Sequence, residues 1–307
     1  MRIVFMGNPS FACPSLDLLN DSDHEIVGVI SDPPKRNSRK KEKKLSPLGE
    51  KALELNLNLY TPESLSDLSV YNWIKDLNPD VIIVVAFKII PKNIIDIPQF
   101  GAINLHASLL PKYRGASPIQ YALMNGDRVT GNTAFFIIPE VDKGNLILQD
   151  KIEIENTDNY ESLSEKLSFN GAKLLVKSLK EIDRKDFEPI IQNNSLASQA
   201  PKITKEICQI NWNQSAFSVQ SKIRALYRSP GAYTTFNGKR IKILESIVRK
   251  DLSSVNAGTI MIDNESLFVS CSDFFLKILL LQAEGKRAMK AEDWVRGINK
   301  ESLIEFI

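Results

Sequence analysis

Residues 81–86 read VIIVVA, an unbroken apolar run rich in valine and isoleucine, with no alternation of polar and apolar positions. Three other runs share this pattern, RIVFM (2–6), EIVGVIS (25–31) and GAINL (101–105). Strands that are buried on both faces of a parallel sheet have such sequences. Helical patterns lie between the runs, and this alternation predicts a doubly wound, mostly parallel α/β sheet of the Rossmann type. The helical patterns lie near residues 11–20, 47–56, 63–76 and 117–125.

The first domain is expected to cover residues 1–190 and to bind its ligands at the carboxyl ends of the strands. Residues 131–138 and 145–154 predict two further strands, and residues 159–183 predict a long amphipathic helix that ends the domain. The turn after the first strand, GNPSFA (7–12), contains only one glycine, so it lacks the GxGxxG pattern of a dinucleotide site. A nicotinamide cofactor is therefore not expected.

The second half of the chain has a different pattern. The polar stretch QNNSLASQAPK (192–202) predicts a linker, which we place at residues 191–204. A helix is predicted near residues 214–227, and short strand-like segments separated by turn residues follow it. This pattern predicts a small β-barrel domain at residues 205–307.

Composition excludes several classes of protein. A chain of 307 residues that is 43% hydrophobic and 25% charged is typical of a globular protein with two cores. No stretch is long and apolar enough to span a bilayer, and the N-terminus lacks the pattern of a secretory signal, so we expect a cytoplasmic protein. Cys13, Cys208 and Cys271 are far apart and odd in number, and the chain has only two histidines. We therefore expect neither a disulfide framework nor a metal site.

One of the two histidines lies where a predicted strand gives way to a loop, in GAINLHASLLPKYRGASPIQ (101–120). Asn104 and His106 are two residues apart, so on a strand their side chains share a face. The other histidine, His24, lies in a charged stretch typical of an exposed loop, which leaves His106 for chemistry near neutral pH. An Asn-x-His pair can also merely cap a turn. The Pro- and Gly-containing loop that follows, and Asp142 in EVDKGN, favour a functional site.

A resemblance to a known family follows from these motifs. NLHASLLPKYRGASPIQ (104–120) and TGNTAFFIIPEVDKGNLILQ (130–149) resemble the catalytic core of formyltransferases that use 10-formyltetrahydrofolate to formylate an amine. The core segments identify only this wider family, whereas the segments after residue 200 resemble the branch that acts on methionyl-tRNA. The other matching segments are RIVFMGNPSFA (2–12), VVAFKIIPK (84–92), PKITKEICQINWNQSA (201–216), RSPGAYTTFNGKRIKI (228–243) and LLLQAEGKRAMKAEDW (279–294).

The resemblance implies an OB-like barrel for the second domain and formyl transfer as the reaction. This transfer needs a donor to the developing oxyanion, an acceptor for the amine proton and a proton for the leaving nitrogen of the folate. Asn104 can donate to the oxyanion, and His106 can donate to the same oxygen or transfer protons. Asp142 can hold the imidazole in position or take the amine proton through a water molecule. No metal is required, because the reduced pterin activates the leaving group.

By resemblance, two segments lie where the family binds folate. Phe87 and Lys88 depart from the family pattern, which more usually has Tyr and Gly there, and Lys143 replaces a threonine. For Phe87 and the two leucines of the second segment, plain core packing is the competing interpretation. The implied contacts are Ala86, Phe87 and Lys88 at the pterin pocket and Ser108, Leu109, Leu110 and Pro111 at the folate.

Two basic regions suit a polyanionic partner. Residues 35–44 contain seven basic residues and one acidic residue, and residues 201–250 contain ten basic residues against two acidic ones, a net charge of +8. A solvated charged face is the alternative explanation for each. By resemblance, the family places the first region against the acceptor arm of tRNA, and the basic barrel would hold more of the tRNA. The implied tRNA contacts are Lys35, Arg36, Arg39, Lys40, Lys41, Lys43 and Lys44.

The expected partners are therefore a folate co-substrate and initiator methionyl-tRNA, with no membrane and no DNA, and the expected oligomeric state is a monomer. Two other interpretations compete with this one. A formyltransferase for a nucleotide sugar or a small ribonucleotide amine would share the catalytic residues, but such a substrate would not explain the presence of two basic regions. A non-enzymatic RNA-binding protein on a disused α/β scaffold is disfavoured because Asn104, His106 and Asp142 are all present.

Overall fold

The computed structural model describes residues 1–36, 43–251, 256–297 and residue 306. The chain folds as two compact units, and each contains segments that are distant in sequence. The first unit comprises Met1–Pro118, Val129–Glu153 and Ser164–Ala200. The second comprises Ile119–Arg128, Ile154–Leu163 and Pro201–Ile307.

A seven-stranded sheet forms the centre of the first unit. Its strands are β1 (Arg2–Gly7), β2 (Glu25–Ile30), β5 (Leu59–Tyr60), β6 (Val81–Val85), β7 (Ala102–His106), β8 (Val129–Phe136) and β9 (Leu146–Glu153). A separate two-stranded hairpin consists of β3 (Lys35–Arg36) and β4 (Lys43–Lys44). The order in the large sheet is β5-β2-β1-β6-β7-β8-β9. The pairs from β5 to β7 are parallel, and β8 and β9 join antiparallel, which confirms the predicted α/β class.

Both faces of the central parallel strands β1 and β6 are buried, which explains the absence of alternation in these strands. Phe5 and Ile83 belong to the core on one face, whereas Val4 and Ile82 belong to the core on the other. All four side chains are fully buried. Successive side chains of a strand point to opposite faces of the sheet. Since both faces are buried here, successive residues along these strands must be apolar and not only every second one.

Helices cover the two faces of the sheet. These helices are α1 (Cys13–Asn20), α2 (Pro47–Glu54), α3 (Leu68–Leu77), α4 (Lys92–Ile95) and α6 (Tyr160–Ile182), whereas nearly all of α5 (Pro118–Met124), and all of α7 (Ala216–Ala225) and α8 (Ala291–Arg296), belong to the second unit. Side chains of α1, α2 and α6 enter one core, and those of α3 and α4 enter the other. This is the doubly wound arrangement that the sequence predicts. Within the described ranges, no helix combines the length and the apolar character that crossing a membrane requires.

Helix α3 begins later than its sequence pattern predicts. The pattern starts at residue 63, but the first helical residue is Leu68, which follows Asp67 at the N-cap position. The Oγ atom of Ser64 accepts a hydrogen bond of 3.2 Å from the backbone nitrogen of Ser66. Such a local bond from a serine offers the backbone an alternative to the helix, so the segment before Leu68 forms turns.

The second unit contains an antiparallel sheet. Its strands are β10 (Ala232–Phe236), β11 (Lys239–Arg249), β12 (Ile260–Asp263), β13 (Ser266–Ser270), β14 (Phe275–Ala283) and β15 (Met289–Lys290). The order is β10-β11-β14-β13-β12, with β15 paired to β14. Aromatic side chains pack together in this unit, with ring centroids of Phe236 5.3 Å from Trp294 and 5.7 Å from Phe306. The predicted β domain after the α/β domain is therefore confirmed.

Candidate active site

The candidate site lies at the carboxyl end of β7, in the parallel part of the sheet. Asn104 is half-buried and pairs in register with Val84 of β6 and Phe135 of β8. His106 follows on the same face of the strand and is only 6% exposed. Among the residues that the structure describes, none forms a hydrogen bond with the Asn104 side chain. Its amide therefore remains able to donate to a ligand.

The imidazole of His106 is held by the loop that follows β7. Its Nε2 atom lies 2.8 Å from the carbonyl oxygen of Tyr113. A carbonyl oxygen can only accept, so Nε2 carries the hydrogen and, in the neutral ring, Nδ1 carries the lone pair. Nδ1 lies 3.8 Å from Oδ2 of Asp142. This distance is too long for a hydrogen bond but suits an ion pair once the ring is protonated.

Asp142 lies in the loop between β8 and β9, in a backbone conformation that few non-glycine residues adopt. Its φ angle is +54°. The same Oδ2 atom that faces His106 accepts a hydrogen bond of 2.7 Å from the backbone nitrogen of Gly115. Only 11% of the side chain is exposed. The carboxylate is therefore fixed by the loop after β7 and directed at the imidazole.

Gly144 permits a close approach within the same loop. A Cβ atom at this position would lie 1.6 Å from the carbonyl oxygen of Phe136, the last residue of β8. We expect Gly144→Ala to lower the free energy of unfolding by about 3 kcal/mol, because the backbone must shift to relieve the overlap. Chemical denaturation would measure this change. Gly297→Ala is the control, since a Cβ atom there meets nothing closer than 3.6 Å, and an equal effect of the two changes would contradict the close approach.

The segment 192–200, where the sequence predicts a linker, is hydrogen-bonded to the loop after β7. Oγ of Ser198 accepts from the backbone nitrogen of Tyr113 at 2.9 Å, and the Ser198 carbonyl accepts from that of Arg114 at 2.9 Å. The nitrogen of Ala200 donates to the Arg114 carbonyl at 2.7 Å. The sequence does not reveal these contacts, because a polar composition does not distinguish an ordered segment from a flexible one.

The Ser108–Pro111 segment is held by a hydrogen bond within its loop and by apolar packing. Oγ of the buried Ser108 donates to the carbonyl of Lys112 at 2.6 Å. Leu110 packs in a small apolar cluster with Phe135 and Leu146. Leu109 and Pro111 are half-buried. The side chains of Ser108 and Leu110 therefore shape the loop, whereas those of Leu109 and Pro111 retain exposed surface.

The loop after β6 carries the three residues of the expected pterin pocket. Ala86 is exposed, and Phe87 is half-buried against the core cluster on one face of the sheet. Nζ of Lys88 lies 2.6 Å from Oδ1 of Asp32. Nζ of Lys35 lies 2.6 Å from the other oxygen of the same carboxylate. Burial raises the pKa of Asp32, but hydrogen bonds from Lys35 and Lys88 outweigh it and leave the pKa below its usual value.

The basic region begins and ends in the β3–β4 hairpin. Lys35 pairs in register with Lys44, and Arg36 pairs with Lys43. Lys43 and Lys44 are exposed. A cavity of about 360 Å³ beside the hairpin is lined by Asn8, Pro9, Asp32, Lys35, Lys44 and Ser46, among others. Arg39, Lys40 and Lys41, the remaining expected tRNA contacts, lie outside the described residues.

The described part of the chain contains no group of three or more His, Cys, Asp or Glu side chains that could hold a metal ion. At the end of β7, the structure brings together the amide of Asn104, the imidazole of His106 and the carboxylate of Asp142. Together they provide a hydrogen-bond donor and an acid/base pair.

Comparisons with known proteins show the family of the chain. The formyl transferase family matches residues 1–179, and the formyl transferase C-terminal domain family matches residues 202–299. A methionyl-tRNA formyltransferase of a Hydrogenobaculum species is 45% identical and covers 95% of this chain and 96% of its own length. That of Caldicellulosiruptor saccharolyticus is 43% identical over 97% of both chains. That of Chlorobium luteolum is 40% identical over 98% of both.

Solved structures share the fold at lower sequence identity. HypX from Aquifex aeolicus, in complex with tetrahydrofolic acid, has a TM-score of 0.64 and 17% identity, and the match covers 96% of this chain and 47% of HypX. An N-formyltransferase from Helicobacter canadensis, in complex with folinic acid and dTDP-3-aminofucose, has a TM-score of 0.65 and 21% identity. This match covers 92% of this chain and 98% of that protein. With both domain families matched and relatives at 40–45% identity along nearly the whole sequence, the chain belongs to the formyl transferase family, in its methionyl-tRNA formyltransferase branch.

Proposed function

We propose that this protein transfers the formyl group of 10-formyltetrahydrofolate to the free amino group of initiator methionyl-tRNA, in the cytoplasm. The observation that carries the proposal is the geometry at the end of β7. The amide of Asn104 has no hydrogen-bond partner among the described residues, and it lies on the same strand face as His106, whose Nδ1 atom faces the carboxylate of Asp142. The relatives named as methionyl-tRNA formyltransferases support the choice of substrate, because they match this chain along nearly its full length.

Asn104 acts on the carbonyl oxygen of the formyl group. When the amine nitrogen attacks the formyl carbon, this oxygen gains negative charge, and the side-chain amide of Asn104 donates a hydrogen bond to it. A single donor of this kind stabilises a transition state by roughly 3 kcal/mol. The half-buried position of Asn104 strengthens the interaction, because little water competes with it.

His106 moves the proton, and Asp142 supports it. Because Nε2 already donates to the Tyr113 carbonyl, the amine proton must arrive at Nδ1. The resulting imidazolium is stabilised by the carboxylate of Asp142, 3.8 Å away in the structure. As the bond between the formyl carbon and the folate nitrogen breaks, the same proton passes to that nitrogen. The cycle balances without a metal ion or an oxidant.

The folate-binding surface is proposed from the two loops that flank this site. Two proteins of the same fold are complexes with tetrahydrofolic acid and with folinic acid, which supports a folate site here. Ala86, Phe87, Leu109 and Pro111 present exposed or half-buried surface for the flat pterin and its extension. We propose that Ser108 and Leu110 act through the shape of the loop, and that Lys88 borders the pocket while paired with Asp32.

The tRNA is proposed to contact both basic regions. In the first unit, Lys35, Lys43 and Lys44 lie in the paired strands β3 and β4, where they can bind backbone phosphates, and Arg36 joins them on sequence grounds. The second unit presents a cation stacked on an aromatic ring, with the guanidinium of Arg240 4.1 Å from the ring centroid of Tyr233. Such pairs suit exposed nucleotides. Arg39, Lys40 and Lys41 belong to the same proposal on sequence grounds alone.

The test is an assay with two amines. The purified protein is incubated with 10-formyltetrahydrofolate and either charged initiator tRNA or a dTDP-linked amino sugar, the ligand class bound by the Helicobacter canadensis protein of this fold. Mass spectrometry of the hydrolysed products detects the N-formyl group. We expect N-formylmethionine from the tRNA and no formylated sugar. Formylation of the sugar alone would overturn the proposal.

A further inference from the structure

We infer that Gln192 is a positioning residue for Asp142 and that the buried Arg114 fixes its orientation. The inference deepens the proposed function and rests on it, since it concerns the acid/base pair of that reaction. Gln192 lies in the segment 192–200, where the sequence predicts a linker. The residue is 6% exposed, and its side chain is hydrogen-bonded to the backbone of the loop that carries Asp142.

The amide of Gln192 holds the backbone on both sides of Lys143. Its Nε2 atom donates to the carbonyl of Asp142 at 2.9 Å and to the carbonyl of Gly144 at 2.7 Å. Both hydrogens of the amide are therefore used on one loop. Because Asp142 has a φ angle of +54°, its loop conformation needs support from its surroundings.

Arg114 prevents the side-chain amide of Gln192 from rotating by half a turn, which would exchange its oxygen and nitrogen. Its Nη2 and Nε atoms donate to Oε1 of Gln192 at 2.6 and 3.2 Å, and Nη2 also donates to Oδ1 of Asn194 at 2.8 Å. A flipped amide would set its NH2 group against the guanidinium and its oxygen against two carbonyls. Since Arg114 is only 4% exposed, water cannot relieve such a mismatch.

The backbone groups that hold His106 and Asp142 in place both belong to residues 113–115. The carbonyl of Tyr113 fixes Nε2 of His106, and the backbone nitrogen of Gly115 fixes Oδ2 of Asp142. Between them, the side chain of Arg114 fixes Gln192, which holds the backbone of Asp142. One connected set of hydrogen bonds thus sets the separation of imidazole and carboxylate. A shift of about 1 Å in such a pair can lower a rate by about two orders of magnitude.

The test is the near-isosteric variant Gln192→Glu. It keeps an oxygen for Arg114 and strengthens that contact, but it places a second acceptor against the carbonyls of Asp142 and Gly144. We expect kcat for methionyl-tRNA to fall by about 10- to 100-fold, a range common for groups that support active-site residues, with the KM for folate changed less than about twofold. The matched control is Gln282→Glu, which makes the same change at an amide that donates to the carbonyl of Lys286, outside the basic region 201–250. Its kcat should equal that of the wild type.

A double-mutant cycle separates positioning from general stability. If Gln192 acts through Asp142, then Gln192→Glu should change kcat less than about threefold in the Asp142→Asn background, whereas a merely structural loss would add in full. Should Gln192→Glu prove unstable, the cycle is repeated with Gln192→Met, which removes the donors without adding charge. Wild-type kcat in a folded variant, or full additivity, overturns the inference. A wild-type protein that does not formylate the tRNA would instead overturn the proposed function.

Discussion

His106→Ala is expected to lower kcat for formylation of methionyl-tRNA by about two to four orders of magnitude, and Asp142→Asn should have a similar effect. The first change removes the atom that accepts the amine proton, and the second removes the charge that stabilises the imidazolium. Asn104→Ala should reduce kcat comparably, because it leaves the developing oxyanion without its donor. Single-turnover kinetics with charged tRNA would measure all three.

Folate affinity and an unrelated histidine provide the controls. None of the three substitutions should change the dissociation constant for folate much, because the proposed folate surface lies on neighbouring residues. His24→Ala removes the other histidine of the chain, whose Nδ1 atom lies 3.4 Å from the N-terminal amino group, and it should leave kcat unchanged. If any of the three folded variants kept near wild-type turnover, that residue would have no part in the mechanism.

The combined change Lys43→Glu and Lys44→Glu is expected to raise the KM for charged tRNA by about tenfold or more. Each phosphate contact that is lost should also reduce the slope of affinity against salt concentration, on logarithmic axes, by about one unit. Lys35 is left unchanged because it pairs with the buried Asp32, so its reversal would place two carboxylates together. Titrations at several salt concentrations would measure both quantities.

Lys173→Glu combined with Lys177→Glu is the matched control for the hairpin. These lysines are exposed on α6, and their reversal makes the same change in net charge. We expect this control to affect the salt slope far less than the hairpin variant, and folate binding to be equal in both. A slope that stays the same in the hairpin variant would mean that β3 and β4 form only a solvated face.

The strands of the first unit and the shared face of Asn104 and His106 could be predicted because they depend on local periodicity. An unbroken Val- and Ile-rich run predicts a strand with both faces covered, and two-residue spacing places two side chains on one face. The predicted strand around residues 81–86 is found at Val81–Val85, and the long helix predicted at 159–183 is found at Tyr160–Ile182. The predicted start of α3, near residue 63, is wrong, because the helix begins at Leu68. A serine side chain can bond to the nearby backbone and so compete with the helix, and apolar periodicity does not record such bonds.

The sequence by itself therefore determined the fold class, the order of the two kinds of domain, the candidate residues and the family resemblance. Only the tertiary structure decided how those residues meet. The approach of Nδ1 of His106 to Asp142 joins positions 36 residues apart, and the bond of Arg114 to Gln192 joins positions 78 residues apart. The pairing of Lys88 with Asp32 likewise connects two separate loops. Such contacts depend on strand order, loop path and register, which long-range packing fixes and local sequence patterns do not encode.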